Sequence, residues 1–254
     1  MKPDFGLTAN DYARYRAGFP DSFFERLKKF GIGRPGQSVI DLGTGTGTLA
    51  RGFARQGCQV TGVDIARPQL DQARLLDRTE GLTIDYIVAR AEETGLRGQS
   101  FDVVSAGQCW HWFDRTLAAR EAARLLRPHS MLVVAHFDWL PLAGNVVEAT
   151  ETLIESHNPD WGLGGGMGMY PHWLHGLAEN GFDGLETFSY DVVVPYTHEG
   201  WRGRVRASAG VSGSLPEDKV RAFDDALARL LAADYPGEIL GVAHRVFAVV
   251  ARAQ

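Results

Sequence analysis

The stretch of sequence that decides the fold is VIDLGTGTGTLA, residues 39–50. A short apolar run ends at Asp41, three glycines then alternate with threonines, and a helix-like segment follows from Leu49. This order predicts a strand, a tight turn and a helix N-terminus, whose open backbone N–H groups can hold a polar ligand. A second apolar run ends at Asp64, 17 residues after Gly47. Two neighbouring strands that each bring a carboxylate to their C-terminal end can hold the ribose of a nucleoside-containing cofactor.

Working outward from this stretch, strand-like and helix-like segments alternate along the chain, which predicts a doubly wound α/β sheet. The predicted strands of the first part cover residues 39–43, 59–65, 82–89, 101–107 and 131–137, with helices over 49–56, 68–79 and 115–126 and a turn at 127–130. The C-terminal third continues with helices over 145–157, 172–180 and 216–233 and strands over 184–195 and 244–251. A strand–helix–strand ending whose last run is short and reaches the C-terminus permits an antiparallel strand inserted at the sheet edge.

Composition and charge exclude several classes of protein. The chain has 254 residues, of which 44% are hydrophobic and 22% charged, as in an ordinary globular protein. A net charge of −5 gives no support for nucleic-acid binding. No signal peptide is visible and no apolar run approaches the about 18 residues of a membrane span, so we expect a cytoplasmic protein without a membrane partner. Cys58 and Cys109 have neither disulfide nor metal-ligand spacing, and we expect no metal.

The glycine loop permits three interpretations, which differ in the cofactor. A phosphate-binding P-loop requires a lysine after the last glycine, and none is present. A dinucleotide site requires Gly-x-Gly-x-x-Gly, whereas Gly43, Gly45 and Gly47 are spaced two and two, so an NAD(P)-dependent oxidoreductase is the weaker alternative. Asp41 lies inside an apolar run, where an acid is costly unless it binds something, for instance the ammonium group of an amino-acid moiety.

The motif Asp-Leu-Gly-Thr-Gly-Thr-Gly from Asp41, followed by Asp64, resembles the class I S-adenosylmethionine-dependent methyltransferases of the small-molecule type (methyltransferase type 11-like, related to the trans-aconitate and ubiquinone-biosynthesis enzymes). The resemblance implies S-adenosyl-L-methionine as cofactor and S-adenosyl-L-homocysteine as product. It assigns Asp64 to the ribose and Ala91 and Glu92, after the third strand, to the adenine. The cofactor-binding residues that it implies are Tyr15, Arg16, Asp41, Gly43, Thr44, Gly45, Asp64, Ile65, Ala91, Glu92, Gln108 and Trp110.

Two departures from the family pattern accompany this resemblance. Arg90 stands where the family usually has an acid, and Ala17 stands where a proline would follow Arg16 in the N-terminal Tyr-x-x-Tyr-Arg element. The resemblance implies a Rossmann-like, doubly wound, seven-stranded and mostly parallel sheet with an antiparallel C-terminal strand and a helical and loop insertion forming a lid. We expect a single domain over residues 1–254, comprising an N-terminal helical cap (1–30), a cofactor-binding half (31–140), an insertion and substrate-side region (141–215) and a closing helix and strand (216–254).

The segment after the fourth strand, Gln108 to Asp114, carries the candidate chemistry. It resembles the His-Trp-Phe-Asp element of the same family, and it contains three aromatic residues beside His111. His111 can accept a proton during methyl transfer, a role that suits an imidazole at neutral pH. The alternative is a packing histidine before a helix that Asp114 caps. A base is optional, since the sulfonium is already activated and alignment supplies much of the rate.

The substrate side of the sequence is less specific. Arg202 and Arg206, on a predicted lid, can clamp an anionic substrate because arginine binds carboxylates bidentately, or they can face solvent. Trp112, Tyr170 and Trp173 can line an apolar pocket or can pack the insertion onto the sheet. We therefore expect an S-adenosylmethionine-dependent methyltransferase, a monomer or homodimer, that acts on the oxygen, nitrogen or carbon of a small organic molecule, with a carboxylic acid as one candidate. A non-catalytic protein that binds the same cofactor is the second alternative.

Overall fold

The computed structural model describes residue 15 and residues 17–254. In chain order the described elements are α1 (Asp21–Lys29), β1 (Ser38–Leu42), α2 (Thr48–Arg55), β2 (Gln59–Asp64), α3 (Arg67–Glu80), β3 (Asp85–Val88), β4 (Phe101–Gly107), a 3₁₀ turn (Trp110–Trp112), α4 (Arg115–Leu125), β5 (Leu126–Trp139), α5 (Val146–His157), α6 (Trp173–Ala178), β6 (Phe182–Thr197), α7 (His198–Arg206), α8 (Glu217–Asp234) and β7 (Ile239–Ala253). Within the described residues, no helix is long and apolar enough to cross a membrane.

The strands form one seven-stranded sheet in the order β3-β2-β1-β4-β5-β7-β6. The pairs β1–β2, β1–β4, β2–β3 and β4–β5 are parallel, and the C-terminal strands are antiparallel. β1 is therefore an interior strand, with Asp41 beside Gly62 on β2 and beside Ser105 on β4. This architecture confirms the predicted fold class, whereas the last strand, β7, lies between β5 and β6 and not at the sheet edge as predicted.

The chain divides into two compact units. The glycine-loop unit comprises Gly18–Phe137, Tyr170–Tyr190 and Val246–Gln254, and the second unit includes Asp138–Met169 and Asp191–Arg245. Each unit has its own core. Ile40, Val104 and Val134 belong to the core of the first, whereas Trp201, Phe223 and Leu227 belong to the core of the second.

Several predicted boundaries differ from the observed ones, and two of these differences have identifiable reasons. The predicted turn at residues 127–130 lies inside β5, where it forms the bulge opposite β4 between Leu126 and Met131, which pair with Phe101 and Val103. His129 in this bulge has φ of +63°, and the Arg127 guanidinium binds Asp102 on β4. The third strand was predicted from residue 82, but β3 begins three residues later, at Asp85, because Leu82 belongs to the motif that ends the preceding helix. Its N–H donates to the carbonyl of Asp77 (2.9 Å) after Gly81 in the left-handed conformation, which is a Schellman motif.

Candidate functional site

The glycine loop between β1 and α2 has left-handed backbone at all three of its glycines. Gly43, Gly45 and Gly47 have φ of +64°, +55° and +78°. A Cβ at Gly43 would lie 2.8 Å from both Cys109 Sγ and Phe113 Cζ, and one at Gly47 would collide with the Tyr86 hydroxyl. A Cβ at Gly45 would meet only Gln69 Oε1, at 3.9 Å. Backbone conformation therefore requires all three glycines, whereas close packing restricts only the outer two.

Asp41 is a carboxyl group buried at the C-terminal end of β1. It is 1% exposed, and Ser105 Oγ donates a hydrogen bond of 2.7 Å to its Oδ1. Burial raises the pKa of Asp41 to about 6, and the hydrogen bond from Ser105 acts against this rise. The hydrogen bond from Ser105 on β4 thus offsets part of the cost of burying the Asp41 carboxyl group in an apolar strand.

Asp64 ties the end of β2 to the glycine loop. Its Oδ2 accepts a hydrogen bond from the Gly45 N–H (2.8 Å), and its Oδ1 accepts one from the Ala66 N–H (2.8 Å). The Thr44 N–H donates to the carbonyl of Val63 (3.0 Å), which adds a second link. Burial raises the pKa of Asp64, and the hydrogen bonds from the Ala66 and Gly45 N–H groups act against this rise. Each carboxylate oxygen keeps a second lone pair, so the group can still accept hydrogen bonds from a ligand.

The loop after β3 is joined to the loop after β4 through Glu92. Glu92 Oε1 accepts a hydrogen bond from the Asp114 N–H (3.0 Å), and its Oε2 lies 3.5 Å from Arg90 Nη2. Ala91 is buried at 5% exposure, whereas Ile65, directly after Asp64, is 70% exposed. The predicted adenine side therefore combines an exposed aliphatic group with a carboxylate that is already engaged at both oxygens.

Gln108 begins the segment after β4 with a strained backbone. Its φ is +62°, its N–H donates to the carbonyl of Ala135 (2.8 Å), and its Nε2 donates to the carbonyl of Phe137 (2.9 Å). Both bonds attach the segment to β5. Trp110 follows in the core at 1% exposure and meets Phe113 edge to face, with ring centroids 5.9 Å apart.

His111 is exposed and belongs to a group of aromatic rings within the glycine-loop unit. Its Nδ1 lies 3.4 Å from Nε2 of His136, and its ring centroid is 4.4 Å from that of Trp112. His136 in turn contacts Tyr170 and Trp173, whose own rings are stacked at 4.3 Å. The structure therefore brings two predicted segments, His111 with Trp112 and Tyr170 with Trp173, together around His136.

The predicted arginine pair lies in the second unit and is engaged in ion pairs there. Arg202 binds the carboxylate of Asp224 bidentately, and Arg206 Nη1 lies 2.8 Å from Asp224 Oδ1. Arg206 Nη2 also contacts Glu199 (3.0 Å). The substrate role of both arginines stays a prediction, and their charge is balanced by acidic groups of the same unit.

Of the N-terminal residues that the sequence assigned to the cofactor, Arg16 lies outside the described residues. Tyr15 packs in the second unit, where its ring occupies the space beside Gly203 and its hydroxyl lies 3.4 Å from Glu199 Oε1. The cofactor role of both stays a prediction.

Sequence reasoning missed three residues that support the site. Ser105 and His136 had no local signal, because their partners lie on other segments. Arg51 is buried in α2, and its Nη1 donates to the carbonyl of Thr46 in the glycine loop (2.6 Å) and lies 3.4 Å from Asp77 Oδ1. Among the described residues, no group of three or more His, Cys, Asp or Glu could hold a metal ion.

Comparison with known proteins defines the class to which the glycine-loop region is similar. Residues 40–134 match the sequence model of a family described as a methyltransferase domain. An uncharacterized methyltransferase of Mycobacterium tuberculosis is 35% identical over 133 residues, which are 52% of this chain and 51% of that protein. A ubiquinone biosynthesis O-methyltransferase of Bartonella tribocorum is 33% identical over 98 residues, 38% of this chain and 40% of that protein. The chain thus spans about half the length, or less, of these curated relatives.

A solved structure extends the likeness of the fold beyond this region. Phosphoethanolamine N-methyltransferase 2 of Haemonchus contortus, in complex with S-adenosyl-L-methionine, has a TM-score of 0.58 at 18% identity and covers 98% of this chain and 56% of that chain. At this identity the likeness concerns the fold alone. The resemblance to methyltransferases is confirmed by the family match and the curated relatives.

Proposed function

We propose that this protein is an S-adenosylmethionine-dependent methyltransferase that acts on a small organic molecule. The single observation that carries the proposal is the hydrogen bond from the Gly45 N–H to Asp64. It joins the glycine loop to the acid that would bind the ribose, so that both are in place before the cofactor binds. The methyltransferase family match over residues 40–134 covers both groups. We propose further that residues 1–254 act as one domain, as a monomer or homodimer in the cytoplasm.

The described residues fit the cofactor in shape and in charge. The loop offers a backbone without a side chain at Gly45, where a Cβ would meet only Gln69 Oε1 at 3.9 Å, so a ligand can approach closely there. Asp64 would accept hydrogen bonds from the ribose hydroxyls, and Asp41 would face the amino-acid portion. The exposed aliphatic side chain of Ile65 would pack against the flat adenine, with Ala91 and Glu92 on its other side.

When bound, the cofactor supplies a methyl group on a positively charged sulfur, and the carbon–sulfur bond breaks as the bond to the acceptor forms. The protein has two tasks, which are to align the acceptor and to take its proton. His111 would take the proton at Nε2, while Trp112, Tyr170 and Trp173 would shape the acceptor pocket. An acceptor with a dissociable O–H or N–H uses this arrangement fully, whereas a carboxylate needs the alignment alone.

Calorimetry with S-adenosylhomocysteine tests the cofactor site. We expect the wild type to bind it and Asp64→Ala to lose at least about tenfold in affinity, since hydrogen bonds to a charged acceptor contribute about 1.5–3 kcal/mol. Asp71→Ala, an exposed acid on α3, is the matched control and should bind like the wild type. Binding of NADH without S-adenosylhomocysteine would refute the proposal in favour of a dinucleotide enzyme.

Turnover separates an enzyme from a non-catalytic binding protein. The protein with S-adenosylmethionine is incubated with pools of small phenols, amines and carboxylic acids, and release of S-adenosylhomocysteine is followed. We expect at least one pool to give product above the rate without acceptor. Cofactor binding without turnover in any pool would favour the non-catalytic alternative.

A further inference from the structure

We propose that Arg51 is a positioning residue for the cofactor site, whose guanidinium fixes the glycine loop in its ligand-binding conformation through the carbonyl of Thr46. The inference rests on the proposed function, because it concerns the loop that would hold S-adenosylmethionine. Arg51 lies on α2, which begins directly after the loop. It acts through the backbone of the loop and not by contact with the cofactor.

The contact with Thr46 carries the inference. A glycine-rich loop has more conformations available than other segments, so bonds from its surroundings must select one of them. The peptide between Thr46 and Gly47 is held at both of its polar atoms. Arg51 Nη1 donates to the Thr46 carbonyl (2.6 Å), and the Gly47 N–H donates to the carbonyl of Thr44 (2.9 Å). Any change at the Arg51 guanidinium therefore reaches the backbone of the loop directly.

Acidic groups near the end of α3 hold the guanidinium in place. Arg51 and Asp77 are both buried, and Arg51 Nη1 lies 3.4 Å from Asp77 Oδ1. Arg51 Nε lies 3.4 Å from Glu80 Oε1. α3 begins at Arg67, shortly after Asp64. One helix thus connects the acid that would bind the ribose to the acids that hold Arg51 against the loop.

Tyr86 on β3 restricts the same part of the loop by its shape. A Cβ at Gly47 would collide with the Tyr86 hydroxyl and would lie 3.0 Å from Arg51 Nη1. A Cβ at Gly62 on β2 would lie 2.7 Å from the Tyr86 ring. Burial, and next the negative charge of Asp77, raise the pKa of Tyr86, so the hydroxyl keeps its proton. Glycine at position 47 therefore leaves room for the two side chains that bear on the loop.

The stability of the fold does not by itself account for a buried arginine at this position. Arg51 is the fourth residue of α2, where the positive end of the helix dipole opposes a cation. Burial of a charged pair costs hydration, and its replacement by neutral side chains of similar shape is often without effect on stability. An aliphatic side chain could fill the same space, but it could not donate to the Thr46 carbonyl. The bond to the loop is therefore what distinguishes the guanidinium.

Three variants separate the bond to the loop from the ion pair. The double variant Arg51→Met/Asp77→Asn removes the donor without leaving an unpaired carboxylate at position 77, and it keeps side chains of similar size. Asp77→Asn alone removes the same carboxylate but retains the bond from Arg51 to Thr46. Arg55→Met is the matched surface control, because Arg55 is exposed on the same helix and pairs with Glu80.

Calorimetry measures the affinity for S-adenosylhomocysteine. We expect the double variant to lose at least about tenfold, because a hydrogen bond from a charged donor contributes about this factor and a loop that is less often in its binding conformation binds more weakly in proportion. Asp77→Asn should lose about threefold or less, and Arg55→Met should bind like the wild type.

Amide hydrogen exchange of the protein without ligand, followed by NMR, measures the opening of the loop itself. In the double variant the N–H groups of Gly45 and Gly47 should exchange at least about tenfold faster than in the wild type, with no matching change in β4. A residue that only stabilised the fold would instead alter the slowest amides of the whole sheet together.

Three outcomes would overturn the inference while leaving the proposed function intact. The first is wild-type affinity in the double variant. The second is an equal loss of affinity in Asp77→Asn, which would assign the effect to the carboxylate and not to the bond with Thr46. The third is exchange that rises equally in the loop and in β4, which would show that Arg51 only stabilises the fold.

Arg51→Lys decides the question if the double variant does not fold. Its ammonium group keeps a positive charge beside Asp77 but ends one bond short of the position of Nη1, so we expect an affinity loss of about threefold or more. Wild-type affinity of Arg51→Lys would then refute the inference. Failure of the wild type to bind S-adenosylhomocysteine would instead refute the proposed function, whereas the exchange of the loop amides would still report the role of Arg51.

Discussion

Comparison of the variants Gly43→Ala and Gly81→Ala separates the cost in stability of a left-handed backbone from the cost of a steric clash. The two glycines have nearly the same left-handed backbone, with φ of +64° and +67°. A Cβ at Gly81 meets nothing within 4 Å, whereas one at Gly43 lies 2.8 Å from Cys109 Sγ and from Phe113 Cζ. Gly81→Ala is therefore the matched control for conformation, and the difference between the variants reports the packing of the glycine loop on the segment after β4.

The magnitudes follow from these distances. A left-handed conformation costs an alanine about 1–2 kcal/mol, and the reduced freedom of the unfolded chain returns about 0.4–1 kcal/mol. Gly81→Ala should thus lower the free energy of unfolding by about 1 kcal/mol. Gly43→Ala adds an overpacking cost of about 1–3 kcal/mol, for a total of about 2–4 kcal/mol. In a chain of this size the difference corresponds to a gap of roughly 2–12 °C in Tm.

Thermal and urea unfolding, followed by circular dichroism, measure both variants side by side. Gly45→Ala completes the series, because its Cβ would meet only Gln69 Oε1 at 3.9 Å. Its stability should match that of Gly81→Ala, while its affinity for S-adenosylhomocysteine should fall at least tenfold if the ligand occupies the open side of the loop. Equal stability of Gly43→Ala and Gly81→Ala would refute the packing argument. Unchanged affinity of Gly45→Ala would place the cofactor elsewhere.

Two further predictions concern charge. Burial raises the pKa of Asp41 from 3.8 to about 6. The protonated side chain is therefore favoured in the folded state, and the stability that this adds to the free energy of unfolding is fully present below pH 3.8 and is lost as the pH rises through 6. Asparagine does not ionise, so the free energy of unfolding of Asp41→Asn, relative to that of the wild type, should rise by up to about 3 kcal/mol between pH 4 and pH 8. Urea unfolding measures this difference, and a difference that does not change with pH would contradict the argument. Burial opposes ionisation of Asp224, but hydrogen bonds from Arg202 and Arg206 hold its pKa below the usual value, so its stabilisation is present at neutral pH and is lost as the pH falls through the folded-state pKa. Asp224→Asn should lower the free energy of unfolding by about 2 kcal/mol at pH 7 and by much less at pH 3, and an equal loss at both would show that charge is not responsible.

Elements with signals inside their own sequence were predictable. Asp114 was a candidate helix cap, and its Oδ1 accepts the Leu117 N–H at the start of α4 (3.1 Å), which confirms the capping role. The strand, glycine turn and helix of residues 39–50 follow from periodicity and from glycine's access to left-handed backbone. Such features depend on neighbours in the chain, so one sequence suffices to find them.

Features that depend on a distant partner were not predictable in the same way. The sequence Arg127-Pro128-His129-Ser130 has the composition of a turn, and within β5 it forms the bulge opposite β4 between Leu126 and Met131, with His129 at φ of +63°. The flanking pairs with Phe101 and Val103 are long-range, so the sequence alone does not show that this turn interrupts a strand instead of preceding one. His136 lies near the end of a predicted strand, and its relation to His111 depends on the placement of the 3₁₀ turn after β4.

The same dependence on a distant partner explains how an acid can lie at the end of the interior strand β1. Asp41 and Ser105 are register partners on β1 and β4, and their side chains meet on one face of the sheet. A slip of one residue between these strands would turn Ser105 to the opposite face and leave the carboxyl group without this donor. An uncompensated buried carboxylate costs several kcal/mol, so the register and the acid require each other. The glycine motif therefore indicates where a ligand can approach. The pairing of β1 with β4 determines whether the buried carboxyl group of Asp41 has the hydrogen-bond donor that makes its burial tolerable.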